Sequence, residues 1–438
     1  MPNSSTAPDP ALPASTRVLI VGAGQAGLSA AYHLQRRGLT AGRDLVIVDR
    51  GPKTGGAWQF RWESLRLGTA HRVNDLPGMG ELGLSFETAD QSQAARDVVA
   101  EYYARYEQHF GLHVFRPVEV RTVRDAHVEA GAVRYAPVEV RAEHDARGAG
   151  TVGGDAVGGD RVGADTAGGR ASLLVGTSAG DIRTEIVVNA SGTWATPVRP
   201  YYPGVDTFAG RQLATPEYRS ATEFAGKRVV VVGGGTSAVG FLLELEGVAA
   251  STLWVTRRPV VFGDPVIEPA PPASSTPQST AATPPATAVG LESRLAAVAA
   301  QDAAAREGRV LPSIISGTGL PATPANLAGE ARGVLVARPV FTSVEPDGVR
   351  FADGSFEPAD AIIWATGFRS ELRHLDPLNL RETGGGVRVE KGRVARDGRV
   401  FLAGYGPQAS TIGANRAGRL VAVQVLDALR QLEHPETA

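Results

Sequence analysis

This 438-residue sequence predicts an α/β fold in which one parallel-sheet domain is inserted into another. Three observations carry the prediction. A short apolar strand, a glycine-rich turn and a helix follow one another at residues 17–38 and again at 228–247. Strand-like and helix-like segments alternate along most of the remaining chain, the pattern of helices packed over a parallel sheet. Two apolar strands, in VVNASGTW (187–194) and IIWATGF (362–368), each run into a small-small-Gly turn and flank the second unit.

The first unit opens with RVLIV at 17–21, then GAGQAG at 22–27, a helix closed by Gly38, and a second strand from Asp44 to Val48 that ends in Asp49. Strand, three spaced glycines, helix, strand and acid are the full context of a Rossmann dinucleotide fingerprint. Gly22 permits the tight turn, Gly24 lets a diphosphate approach the backbone, and Gly27 lets helix and strand pack closely. Gln25 and Ala26 begin the helix, whose free N–H groups and partial positive charge face the phosphates. Asp49 is suited to a ribose diol.

The second unit reads RVVVV at 228–232, GGGTSA at 233–238, a helix closed by Gly247, and a strand at Thr252–Thr256. Gly233, Gly235, Thr236, Ser237 and Ala238 form its expected cradle. The acid is replaced by Arg257 and Arg258, and guanidinium groups pair with the 2′-phosphate that a carboxylate would repel. The first site therefore suits FAD and the second NADPH.

Boundaries follow from this order. Residues 1–16 read as a disordered tail, 17–195 as the first part of the FAD domain, 196–335 as the NADPH domain and 336–430 as completion of the FAD domain. The Gly-rich stretch 145–170 and the Pro/Ser/Thr-rich stretch 265–290 read as flexible inserts. Helices are expected over Gln91–Phe110 and Leu291–Glu307. The segment VFLAGYG (400–406) returns to the first site, where Gly404 and Gly406 allow close backbone approach; Val118 and Gly367 are also expected against cofactor. The chain has no cysteine, which excludes disulfides, thiolate metal sites and an internal dithiol relay. The scattered histidines show no ligand spacing, and no metal is expected. A net charge of -2 provides no basic field for nucleic acid. No apolar run approaches the ~18–20 residues of a membrane span, and the first residues lack a signal-peptide pattern, so a cytoplasmic location is expected.

On GAGQAG, GGAW (55–58), RWESLRLGT (61–69), GTWATPVRPYYPG (192–204), GGGTSAVG and WATGF, the sequence resembles the class B flavoprotein monooxygenases. The resemblance implies that Gly55, Gly56 and Trp58 lie beside the flavin and that Arg66 and Thr69 approach the flavin or its phosphates. It also implies an NADPH-dependent, FAD-containing monooxygenase that oxygenates a small nucleophilic or carbonyl substrate with molecular oxygen by way of a peroxyflavin. One family motif is altered: Phe208, Gly210 and Tyr218 keep their spacing, but Ala214 stands where the family has His. The Asn that many members place by the flavin is also missing; Thr69 and Asn74 are the nearest polar candidates. An NAD(P)H-dependent reductase of an external acceptor and a flavin-bound redox sensor without turnover are the competing readings.

Overall fold

The computed structural model describes residues 11–70, 73–126, 172–263, 287–312, 320–409 and 411–434. The expected insert 145–170 and most of the expected linker, 265–286, lie outside the described residues.

The first sheet is built on β1 (Ser15–Val21), β2 (Leu45–Val48), β3 (Val114–Phe115) and β6 (Gly180–Asn189). Together with the strand Val400–Leu402 they run parallel in the order Val400–Leu402, β6, β1, β2, β3. Leu19, Ile20, Val46, Ile47, Val187 and Val188 have no exposed surface, as continuous apolar runs covered on both faces require. The antiparallel strands β4 (Val120–Asp125) and β5 (Leu173–Thr177) extend from β6. Helix α1 (Gln25–Gln35) packs on this sheet and on the long helix Thr411–Glu433. That helix contact is backbone-close: a Cβ on Gly418 would stand 2.6 Å from the Ala30 nitrogen. Helix α2 (Ala95–His109) buries Val98, Val99, Tyr103 and Tyr106 against the same core.

The second sheet contains β7 (Arg211–Ala214), β8 (Arg228–Val232) and β9 (Ser251–Thr256), with helix α3 (Thr236–Leu245) between β8 and β9. Its order is Ala337–Pro339, β9, β8, Ala361–Trp364, β7, all parallel. Helix α4 spans Thr287–Glu307.

Four expectations shift. Ser15 and Thr16 belong to β1, paired with Arg183 and Thr184, and not to a tail. Helix α2 starts at Ala95 and not at Gln91, because the Asp90 carboxylate accepts hydrogen bonds from the Ser92 N–H and hydroxyl and closes a turn there. Helix α4 begins at Thr287, inside the stretch read as linker. The second unit does not end at 335: Ala337–Pro339 and Ala361–Trp364 complete its sheet, so the return to the first sheet falls after Trp364.

The two crossing segments run side by side. Val198 N–H donates to the Gly367 carbonyl and Arg369 N–H to the Thr196 carbonyl, both at 2.9 Å. Trp194 stacks on Phe368 with ring centroids 5.1 Å apart.

Candidate functional site

The first cradle follows from backbone stereochemistry. β1 ends at Val21 and the chain turns at Gly22 with φ 103°, where a Cβ would stand 2.5 Å from the Ala190 carbonyl oxygen. Gly27, in the first turn of α1, sits on the Gly22 carbonyl itself, and a Cβ there would collide with it. Glycine alone allows strand, turn and helix this closeness. The space above Gly24 is different: a Cβ there would have the Gly56 Cα as its nearest neighbour, 4.0 Å away. No side chain caps the N-terminus of α1. Open space over a glycine and an uncapped helix start are what a diphosphate needs.

Asp49 is buried at the end of β2. Its carboxylate accepts from the Ala23 N–H and the Gly51 N–H, each at 2.7 Å. A carboxylate has about four acceptor positions, so two remain for a ribose diol. The Gly55–Gly56 turn, both residues at positive φ, presses directly on the cradle; a Cβ on Gly56 would lie 2.7 Å from the Gly24 Cα.

These residues surround a cavity of about 560 Å³, within the size range of cofactor sites. It brings together Gly22, Gly24, Gln25, Ala26, Asp49, Gly55, Gly56, Trp58, Val118 and Gly404 of the expected set. Gly27 lies beneath it, holding the turn. The structure does not bring Arg66 or Thr69 into its wall. Both are exposed on a turn in which the Thr69 hydroxyl donates to the Arg66 carbonyl. Gly367 sits on the crossing segment beside Phe368, and Gly406 packs against Ala305 of α4. Asn74 offers its carbonyl to the Gln25 amide.

Arg61 takes the place expected for Arg66. Its guanidinium lies 3.9 Å from the Trp194 ring centroid and 5.3 Å from that of Trp58, and it lines the cavity. Burial lowers its pKa to about 10, so it is still a cation at neutral pH. Among the described residues its Nε has no hydrogen-bond partner, and no carboxylate lies within 4.0 Å of the guanidinium. Sequence reasoning missed Arg61 because its placement depends on the 3₁₀ turn Gly56–Phe60, which Arg61 follows in extended conformation. The cavity wall also includes His374 and Glu371. The Glu371 carboxyl would be raised by burial, but hydrogen bonds from Arg373 and Thr196 outweigh this and hold it at about 2. Nothing in the sequence pattern marked this pair.

The second cradle repeats the first. Gly233 has φ 132° and lies on the Ala365 carbonyl, as Gly22 lies on that of Ala190. Gly235 precedes the first turn of α3, where Thr236 is exposed and Ser237 half-buried; Ala238 is buried where the first cradle has Gly27. Arg257 and Arg258 follow β9, both exposed, with no carboxylate within 4.0 Å among the described residues. The altered motif is packing: Phe208 and Tyr218 are buried, and Ala214 is 1% exposed at the end of β7, level with Trp364.

Two glycine cradles at the ends of two parallel sheets, joined by paired crossing segments, define a two-dinucleotide-fold flavoprotein. Comparisons with known proteins agree. Residues 17–147 match the FAD dependent oxidoreductase family and residues 167–266 the pyridine nucleotide-disulphide oxidoreductase family. A flavin-containing monooxygenase from Stenotrophomonas maltophilia is 28% identical; the match covers 95% of this chain and 99% of that one with a TM-score of 0.64. A steroid monooxygenase bound to NADP shares the fold at 17% identity and a TM-score of 0.54, over 96% of this chain and 86% of that one. An indole-3-pyruvate monooxygenase of Oryza sativa subsp. japonica is 28% identical over 55% of this chain and 48% of its own length. The chain spans about half the length of the curated relatives it matches. The two units thus match families of FAD-dependent and pyridine-nucleotide-dependent oxidoreductases, and the chain is similar to the class B, flavin-containing monooxygenases.

Proposed function

We propose that this protein is an NADPH-dependent monooxygenase acting on a small nucleophilic or carbonyl substrate. The observation that carries the reading is the pair of cradles, one with a ribose-suited acid and one with two exposed arginines, each turning on a carbonyl at the start of a crossing segment, that of Ala190 and that of Ala365. FAD, when bound, supplies hydride acceptance and oxygen activation. The chain's own residues do the rest. Gly24, the start of α1 and Asp49 hold the adenosine diphosphate half, and Val118 borders it. Gly56, Trp58 and Trp194 wall the cavity with apolar surface that keeps water out. Arg61 places a cation among the aromatic walls, facing the anionic cofactor. With no cysteine in the chain, an internal dithiol is not available as electron sink, which favours oxygen over the disulfide chemistry of similar folds.

The test has two stages. Mixed anaerobically with NADPH, the yellow protein is expected to bleach within seconds. Readmission of ¹⁸O₂ with a panel of amines, sulfides and ketones is expected to yield labelled product. Hydrogen peroxide in place of labelled product across the whole panel would overturn the reading in favour of a reductase; no bleaching would favour a flavin-bound sensor.

Two side chains are open to direct measurement. Replacing Arg257 and Arg258 together by Ala is expected to raise the NADPH KM about 10–150-fold, the loss of charge-assisted bonds of ~1.5–3 kcal/mol, and to leave NADH within about twofold. Equal effects on both coenzymes would reject the phosphate clamp. Arg61→Met is expected to weaken FAD binding about tenfold in fluorescence titration, given a cation–π and ionic contribution of ~1–2 kcal/mol. Unchanged affinity would show that the cation serves something other than FAD.

A further inference from the structure

Helix α3 carries a carboxylate that reaches back to the first unit. Glu244 accepts hydrogen bonds from the Trp62 indole N–H at 2.7 Å, the Ser64 hydroxyl at 2.7 Å and the Tyr218 hydroxyl at 3.1 Å. Among the described residues no Arg or Lys forms an ion pair with it. These partners are neutral donors, and they come from two separate pieces of chain.

The position of Trp62 is unusual for its sequence neighbourhood. It follows Trp58, a wall of the first cavity, by four residues, yet it is 4% exposed within the core of the second sheet. Its ring meets Tyr218 edge-on at 5.8 Å and Phe241 of α3 at 4.9 Å. Tyr218 is held as a donor, since burial, and after it the charge of Glu244, pushes its phenol far above the usual range. The segment that walls the flavin site is thus plugged into the unit that carries the second cradle, and Glu244 locks the plug. Hydrogen bonds from neutral donors to a carboxylate are directional, so they fix an angle, where a surface ion pair would tolerate many.

We propose that Glu244 is a positioning residue for flavin reduction: with Trp62 it sets the separation between the Gly55–Trp58 wall and the α3 cradle. The inference rests on the function proposed above. The transfer positioned is that of one hydride from NADPH to FAD, leaving NADP⁺ and, with one proton from solvent, reduced flavin.

The experiment uses the FAD-loaded protein with Glu244→Gln, Trp62→Phe and the double variant. Trp62→Phe removes the indole N–H while keeping an aromatic plug, which guards against simple misfolding. Anaerobic single-turnover reduction at saturating NADPH is compared with reduction by dithionite, bound FAD and Tm. Each single variant is expected to slow reduction by NADPH at least about tenfold with dithionite reduction and FAD content unchanged, and the double variant to be no slower than the slower single one, as for residues acting through one contact. NADPH reduction within about twofold of the unaltered protein, with only Tm lowered, would overturn the proposal. No reduction of the unaltered protein by NADPH would instead sink the functional reading, and the latch with it.

Discussion

Replacing Gly27 by alanine is expected to strip FAD from the protein during purification and raise its dissociation constant more than about 100-fold. A Cβ at Gly27 meets the Gly22 carbonyl oxygen, which is backbone held by its own turn against Ala190. No rotamer relieves such a clash, so α1 must lift from β1. Overpacking of this kind costs ~1–3 kcal/mol or more, and the lift also withdraws the helix N–H groups from the diphosphate. Gly24→Ala is the informative companion. Its Cβ has open space, with the Gly56 Cα 4.0 Å away as nearest neighbour, so apo stability is expected to hold within ~0.5 kcal/mol while the methyl occupies diphosphate space and FAD is lost. Flavin content after purification and a titration of the apo form with FAD measure both. A Gly27→Ala protein that binds FAD within tenfold of the unaltered one would reject the packing role given to this glycine.

Acid is expected to weaken the fold in the window from pH 6.5 to 4, by about 2–4 kcal/mol, before the general protonation of surface carboxylates. His374 is 6% exposed, and its Nε2 lies 3.0 Å from the Asn189 side-chain oxygen, to which the neutral ring donates. Burial, opposed only in part by Glu371 and Asp376, lowers its pKa to about 4. A folded-state pKa below the unfolded value means that the unfolded chain takes up a proton first; stability is full above about pH 6.5 and falls as pH drops toward 4. Glu371, held at about 2, contributes in the same direction at lower pH: its stabilisation is full above the unfolded value near ~4.5 and is lost as pH falls through about 2. Urea unfolding at pH 7, 5.5 and 4 under saturating FAD measures the slope, and His374→Gln is expected to remove most of the upper part of it. Identical slopes for the variant and the unaltered protein would exclude His374 as the source.

The stretches that were legible are those whose geometry depends on neighbours in sequence. A positive φ at Gly22 or Gly233 and the spacing of strand, turn and helix are properties of a few adjacent residues. The same is true of the acid that ends β2. The misplaced boundaries show the limit. Ala361–Trp364 is as apolar as any strand of the first sheet, and its membership in the second is set by pairing with β8 and β7, more than a hundred residues earlier. Arg61 and Arg66 are equivalent as letters. The 3₁₀ turn at Gly56–Phe60 carries Arg61 toward the Trp194 ring, while the following turn leaves Arg66 in solvent.

The sequence by itself determined that two nucleotide cradles exist, which of them bears an acid and which bears arginines, and that no thiol takes part in their chemistry. The tertiary structure alone decided how the two units are joined. Side-by-side crossing segments, an arginine seated on Trp194, and a tryptophan from the first unit buried in the second and bound by Glu244 all join residues far apart in the chain. Such contacts arise only when sheets have paired and their connections meet, so no local pattern of residues encodes them.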